Sequence, residues 1–181
     1  VSLAIASQAY DHALKYAKDR VQGAMLHNPK AGSVRIIEHE DIRRMLMHMK
    51  ATTEGLRALI YQAHFLSDIE QHSLSADERE KAGDRLAFLV PLCKSYASDK
   101  AWEVCRDAIQ VHGGYGFVKE YPVEQLARES KIQSIWEGTN YIQAMDFIGR
   151  KLPMKMGAVA QEFIQEHIEF CEKHHDSASF G

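Results

Sequence analysis

The sequence predicts an all-α protein built as an antiparallel helical bundle. Apolar residues recur at helical spacing instead of alternating, and only 4 prolines and 11 glycines interrupt the 181 residues. Long amphipathic stretches with short connections between them pack most simply as antiparallel helices. A first helix is expected from about Ser2 to Gln22, with Leu3, Ala6, Tyr10, Ala13, Leu14, Ala17 and Val21 on one stripe. Gly23 stops it, and a loop through Asn28-Pro29 and Gly32 follows. A second helix, about His39 to Gln71, is expected to bury Ile42, Met45, Leu46, Met49, Thr53, Leu56, Ile60 and Ala63.

Ser75 through Glu78 has the form of a capping box, which starts a third helix near Ala76. That helix should run to Val111 with a kink at Pro91, because proline removes a helix hydrogen bond and crowds the preceding turn. The Gly113-Gly114-Tyr115-Gly116 turn ends it, and Pro122 suits the first turn of the next helix, Pro122 to Ile132. The chain then breaks over Ser134 to Gly138, resumes from Thr139 to about Arg150, and is punctuated by Pro153 and Gly157. A last helix, Ala158 to Lys173, is expected to bury Val159, Phe163, Ile164, Ile168 and Cys171. No internal repeat, low-complexity tract or linker stands out.

Composition narrows the function classes. A hydrophobic content of 45% over 181 residues is enough for one sizeable core. No apolar run approaches the roughly 20 residues a membrane helix needs, and the first residues lack the basic and apolar regions of a signal peptide. A net charge of −3 and a pI near 6.4 give no electrostatic reason to expect nucleic acid. Cys93, Cys105 and Cys171 are an odd number without C-x-x-C spacing, and read as reduced, mostly buried thiols of a cytoplasmic protein. The ten histidines raise a metal site, but the one Glu-x-x-His spacing, Glu172 to His175, lies in a polar tail, and H-E-x-x-H is absent. His39, His48, His64 and His72 along the second helix form no facing pair with a core carboxylate, so no metal is expected. Asp77-Glu78-Arg79-Glu80-Lys81 reads as a solvated helix face.

Three places offer chemistry. In Ile135-Trp136-Glu137-Gly138-Thr139-Asn140 a single carboxylate stands between an apolar pair and a Gly-Thr turn. Ile135 and Trp136 are suited to strip water from Glu137 and raise its pKa toward the range of a general base. Gly138 allows another molecule to approach closely, and Thr139 is a good N-cap. The alternative is an acidic residue favoured in a first helical turn by the helix dipole. Arg20 is likewise either a cation at a helix C-terminus or a ligand for an anion, with Gln22 beside it. Gln110, Gly113 and Gly114 make a helix end with a tight turn, and the same glycines leave backbone open to a ligand.

Four ordered segments resemble the acyl-CoA dehydrogenase family. Tyr16-Ala17-Lys18-Asp19-Arg20-Val21-Gln22 is similar to its YA-x-x-R-x-Q segment, and Gln110-Val111-His112-Gly113-Gly114-Tyr115-Gly116-Phe117 to its Q-x-x-GG-x-G-[FY] turn. Tyr121-Pro122-Val123-Glu124-Gln125-Leu126-Ala127-Arg128 resembles YPVE-x-L-x-R, and Glu137-Gly138-Thr139-Asn140-Tyr141-Ile142-Gln143 resembles EGT-x-x-IQ. The resemblance covers residues 1–156 as the family's C-terminal helical bundle and leaves 157–181 as an additional helix and tail. Leu152-Pro153-Met154 and that tail resemble the longer branch that includes 3-methylmercaptopropionyl-CoA dehydrogenases.

The resemblance implies an FAD-dependent α,β-dehydrogenation of acyl-CoA thioesters, with Glu137 as the base and Gly138 next to substrate. Arg20, Gln22, Gln110, Gly113, Gly114, Thr139 and Asn140 fall on its cofactor-binding positions. Many members carry an aromatic residue where Gly23 stands, which removes a stacking surface. The family's β-domain and N-terminal helical domain lie upstream of such a bundle, so the chain reads as a C-terminal piece, inactive alone, holding the base and part of the cofactor site. The implied partners are acyl-CoA, electron-transfer flavoprotein as acceptor, and a second copy in a dimer or tetramer. An acyl-CoA oxidase, or a catalytically silent bundle used for assembly or macromolecule binding, is the alternative.

Overall fold

A computed structural model describes residues 1–30 and 32–175. The expected class is what the chain adopts. Its order is α1 (Ser2–Asp19), α2 (Glu40–His72), α3 (Ala76–His112), α4 (Pro122–Ile132), α5 (Asn140–Asp146) and α6 (Ala158–His174), with no strand among the described residues. Short 3-10 turns cover Ile36–Glu38 and Gly113–Phe117, and a π-helical turn covers Phe147–Lys151. No described helix is long and apolar enough to cross a membrane.

Helix α1 stops earlier than its apolar stripe suggests. Arg20 turns extended, the Ile36 N–H donates to the Arg20 carbonyl at 2.8 Å, and Gln22 and Gly23 exchange backbone hydrogen bonds with Val34 at 2.9 Å. This antiparallel bridge satisfies the backbone that a longer helix would have used, and leaves Val21 exposed instead of buried. At the start of α3 the capping box is half realised. Ser75 Oγ accepts from the Glu78 N–H at 3.3 Å, but the Glu78 carboxylate takes its hydrogen bond from Ser73 Oγ at 2.6 Å. Helix α3 then runs unbroken through Pro91, which is fully buried.

The contacts divide the chain into two compact units that do not follow chain order. One comprises Val1–Tyr61 and Cys93–Asn140, and the other Gln62–Leu92 with the residues from Tyr141 on. The first holds the larger core. Ala6, Ala9, Ala13 and Ala17 of α1 are fully buried, α1 packs on α4, and Met49, Leu56, Val104, Ala108 and Val123 fill the interior. Ile5 and Ala9 therefore join the face that sequence assigned to Leu3, Tyr10 and Leu14, which are only partly buried.

In the second unit Phe88 sits 5.2 Å from Phe147 and 5.4 Å from Phe163, and the Arg85 guanidinium lies 4.3 Å over the Phe163 ring while pairing with Glu166. These contacts hold only the first turns of α6. Val159 is buried as expected, but Ile164 and Ile168 are exposed, and so is Cys171. The expectation of a fully apolar buried face on α6 is therefore corrected. The thiols differ accordingly: burial pushes Cys105 up to about 11 against an opposing hydrogen bond from Ser130, Cys93 is half-buried, and Cys171 faces solvent.

Candidate functional site

Arg20 and the residues around it make a hollow of about 360 Å³. Its walls are the end of α1 (Tyr16, Arg20), the bridge (Gln22, Gly23), Ile36, His39 and Ile42, and the end of α3 from Gln110 to Gly113. The early stop of α1 is what aims Arg20 here. Its Nη2 donates to Gln22 Oε1 at 3.3 Å and its guanidinium lies 5.5 Å from the Tyr115 ring centroid. The Arg20 Nε is buried and has no hydrogen-bond partner among the described residues. A buried guanidinium N–H without an acceptor costs free energy unless an anion or other acceptor supplies one. His39 Nε2 donates to the Gln22 carbonyl at 2.8 Å and so holds the bridge against α2.

Four of the sequence-selected residues, Arg20, Gln22, Gln110 and Gly113, thus meet at one hollow. Gly113 has φ +61°, and a Cβ built at either Gly113 or Gly114 would meet no atom of the described residues within 4 Å. What these two glycines keep clear is space outside the chain. Gly116 has the opposite reason: a Cβ there would stand 2.4 Å from the Ile109 carbonyl oxygen, so the glycine is needed for the turn to fold back on α3.

Aromatic packing under the hollow was not legible in the sequence. The buried His112 stacks on Tyr16 at 4.3 Å and meets Tyr121 edge-on at 5.7 Å, and His112 Nδ1 donates to the Ala108 carbonyl at 2.8 Å. Burial lowers the His112 pKa and raises that of Tyr16. The consequence for stability has a definite sign. Above the unfolded histidine value of about 6.5 both states are neutral. As the pH falls below it, the unfolded chain takes up a proton that the folded chain refuses until its own lower pKa is reached, so stability declines through that window. Between about pH 7 and about pH 5 the melting temperature should therefore fall more for the wild type than for His112→Phe, which keeps the ring stack without the titration. Parallel curves for the two proteins would sink this reading of His112.

Glu137 does not line the Arg20 hollow. It stands in the loop between α4 and α5, with φ +52°, followed by Gly138 at φ +83°. A left-handed backbone is uncommon for a glutamate and is retained only where the surroundings impose it. The loop is closed by the Asn140 N–H donating to the Ser134 carbonyl at 3.2 Å, while the Ile135 and Trp136 N–H groups both bond to the Ile132 carbonyl. That tight turn throws both side chains outward. Ile135 is 52% and Trp136 46% exposed, and Glu137 is exposed as well, so the expectation that this pair wraps the carboxylate is corrected for this chain. Among the described residues no backbone acceptor receives the Glu137 or Gly138 N–H. Thr139 stands at the entry to α5.

Asn140 is drawn to α3. Its Oδ1 accepts from Lys94 Nζ at 3.0 Å, and its Nδ2 donates to Asp99 Oδ1 at 2.8 Å. Ser98, 1% exposed, has its Oγ 2.9 Å from Asn140 Nδ2. Burial lowers the Lys94 pKa, against the fields of the Asp99 and Glu137 carboxylates, which act the other way. Lys94, Ser98 and Asp99 carry no motif that sequence reading would select; only the one-turn spacing of Lys94 and Ser98 on α3 hints at a shared face.

Elsewhere, a larger hollow of about 720 Å³ lies at the end of α2 and the start of α3, lined by Leu66, Ile69, His72 and Ala82 among others. Asp68, Ser73, Glu78 and Lys81 stand at the same hollow. Among the described residues no group of three or more His, Cys, Asp or Glu side chains is placed to hold a metal ion.

Comparison with known proteins bears on both groups of residues. The sequence profile of the acyl-CoA dehydrogenase C-terminal domain matches residues 1–152. A butyryl-CoA dehydrogenase of Syntrophomonas wolfei subsp. wolfei is 48% identical over 169 residues, which are 93% of this chain and 28% of that protein. A 3-methylmercaptopropionyl-CoA dehydrogenase of Ruegeria pomeroyi is 42% identical over 90% of this chain and 28% of its own length. The structure of butyryl-CoA dehydrogenase from Megasphaera elsdenii superposes with a TM-score of 0.64 at 32% identity, covering 82% of this chain and 33% of that one. The chain thus spans less than a third of the curated relatives described here.

Proposed function

We propose, because the chain belongs to the acyl-CoA dehydrogenase family through its C-terminal domain, that it serves an FAD-dependent α,β-dehydrogenation of acyl-CoA thioesters. The carrying observation is the Arg20 hollow. A buried guanidinium N–H without an acceptor among the described residues, an amide side chain beside it and a glycine turn open to the outside suit a diphosphate-bearing cofactor such as FAD. Arg20, Gln22, Gln110, Gly113 and Gly114 would hold that group, with Thr139 kept in the same set. FAD, when bound, accepts the hydride equivalent that leaves the substrate β-carbon.

The remaining steps belong to this chain's own residues. Glu137 takes the α-proton onto its carboxylate, which needs access to substrate, and an exposed carboxylate on a tight left-handed loop has that access. Negative charge then grows on the thioester oxygen. The Glu137 N–H, which no backbone acceptor receives among the described residues, is suited to donate to it. Gly138 removes the side chain that would crowd the thioester.

Acyl-CoA is the substrate in this reading, and electron-transfer flavoprotein the acceptor, in the cytoplasm. A dimer or tetramer is supported by Tyr141, Ile142, Met145 and Ile148, exposed apolar residues that recur at helical spacing along α5 and the π-turn. Arg20→Ala tests the cofactor assignment. In the FAD-loaded enzyme it should weaken FAD retention roughly 10- to 100-fold, the effect of losing a charge-assisted contact. Flavin absorbance per subunit after dialysis reads this directly, and full retention would count against Arg20 as a cofactor ligand.

A further inference from the structure

We infer that Asn140, clamped by Lys94, Ser98 and Asp99 of α3, is the positioning residue that holds the Glu137 loop in its left-handed conformation, and is not a contact for the cofactor. The inference rests on the reading of Glu137 as the base. Glu137 lies three residues before Asn140, inside a loop whose closing hydrogen bond, Asn140 N–H to the Ser134 carbonyl, is made by Asn140 itself. Whatever fixes Asn140 therefore fixes one end of the turn that carries φ +52° at Glu137.

The clamp is chemically specific. Lys94 Nζ can only donate, and it reaches Asn140 Oδ1 at 3.0 Å. The Asp99 carboxylate can only accept, and it lies 2.8 Å from Asn140 Nδ2. These two partners settle the amide orientation, because a flipped amide would face a donor with a donor and an acceptor with an acceptor. Ser98 Oγ lies 2.9 Å from Asn140 Nδ2 and 3.1 Å from Oδ1, and the Ser95 carbonyl is 3.3 Å from Nδ2. Both ends of the amide are thus engaged by α3. A side chain with only acceptors, or with none, cannot bridge the cation at Lys94 and the anion at Asp99. Lys94 also lies within the field of the Glu137 carboxylate.

The test uses the FAD-loaded enzyme and flavin reduction by saturating acyl-CoA. Asn140→Ala should slow reduction on the order of 10- to 100-fold through misplacement of the base, with KM and FAD content little changed. Asn140→Asp should be as damaging, because it sets a carboxylate against Asp99. The double variant Asn140→Asp/Asp99→Asn restores a donor to meet the acceptor at unchanged net charge and should recover part of the rate. In a Glu137→Gln background, Asn140→Ala should add little, because groups that act as one unit are not additive. If Asn140→Ala fails to fold, Lys94→Met and Ser98→Ala should slow reduction in the same sense, and Lys94→Arg should keep it.

Loss of FAD as the main effect of Asn140→Ala would overturn the inference in favour of a cofactor contact. So would an unchanged reduction rate, or a full additional loss on top of Glu137→Gln. A wild-type rate in Glu137→Gln alone would instead remove the assignment of the base, a separate failure.

Discussion

Glu137→Gln is expected to leave FAD binding intact and to cut flavin reduction by acyl-CoA by on the order of 10² or more, the usual loss when a positioned base is removed. The substitution changes the proton-accepting oxygen to an amide and little else. Glu137 is exposed, so no core is disturbed, and its loop is closed through backbone groups and Asn140, which the change does not touch. Glutamine has the same branching as glutamate and meets the same left-handed strain at φ +52°. Stopped-flow bleaching of the flavin at saturating substrate measures the step. Reduction at the wild-type rate would show that the α-proton goes elsewhere.

The largest expected effect on stability is that of Leu56→Ala. Leu56 is fully buried in the first compact unit, beside the equally buried Met49 and Val104 in the same core cluster. Truncation removes apolar contact and leaves a cavity that neighbouring helices close only in part, at a cost of about 2–5 kcal/mol. For a chain of this size that is a large share of the total stability. The urea midpoint should fall with an unchanged slope, because the unfolded surface is nearly the same. A loss under about 1 kcal/mol would mean that the site collapses around the deletion, against the close packing described above.

Much of the arrangement was written in residue order. The helical spacing made α2 and most of its buried face predictable: Met45, Leu46, Met49, Thr53 and Leu56 are buried, while Ile42, Ile60 and Ala63 of the same expected face are only partly so. Pro122 placed the start of α4, and Gly113 the turn after α3, because both act through their own backbone angles. The candidate site was legible through motif order, and Arg20, Gln22, Gln110 and Gly113 do come together. Periodicity failed where an apolar stripe lacked a partner, as at Ile164, Ile168 and Cys171 of α6. A stripe records that a helix has a face, and only packing decides whether that face is covered.

What the sequence determined by itself was therefore the helices and their turns, since these follow from side-chain type and short-range spacing, while the candidate site residues were picked out through the resemblance of its ordered motifs. Tertiary structure alone decided how those residues are held. The bridge from Arg20 to Ile36 cuts α1 short and leaves the Arg20 Nε buried without a partner among the described residues. The stack of His112 on Tyr16 joins residues far apart in the chain. Asn140 finds its cation and anion on a helix more than 40 positions earlier, |i−j| being 46 for Lys94 and 41 for Asp99. Such pairings depend on which backbone segments are brought within hydrogen-bonding distance, a condition met only once the helices have packed and their unsatisfied polar groups must find partners.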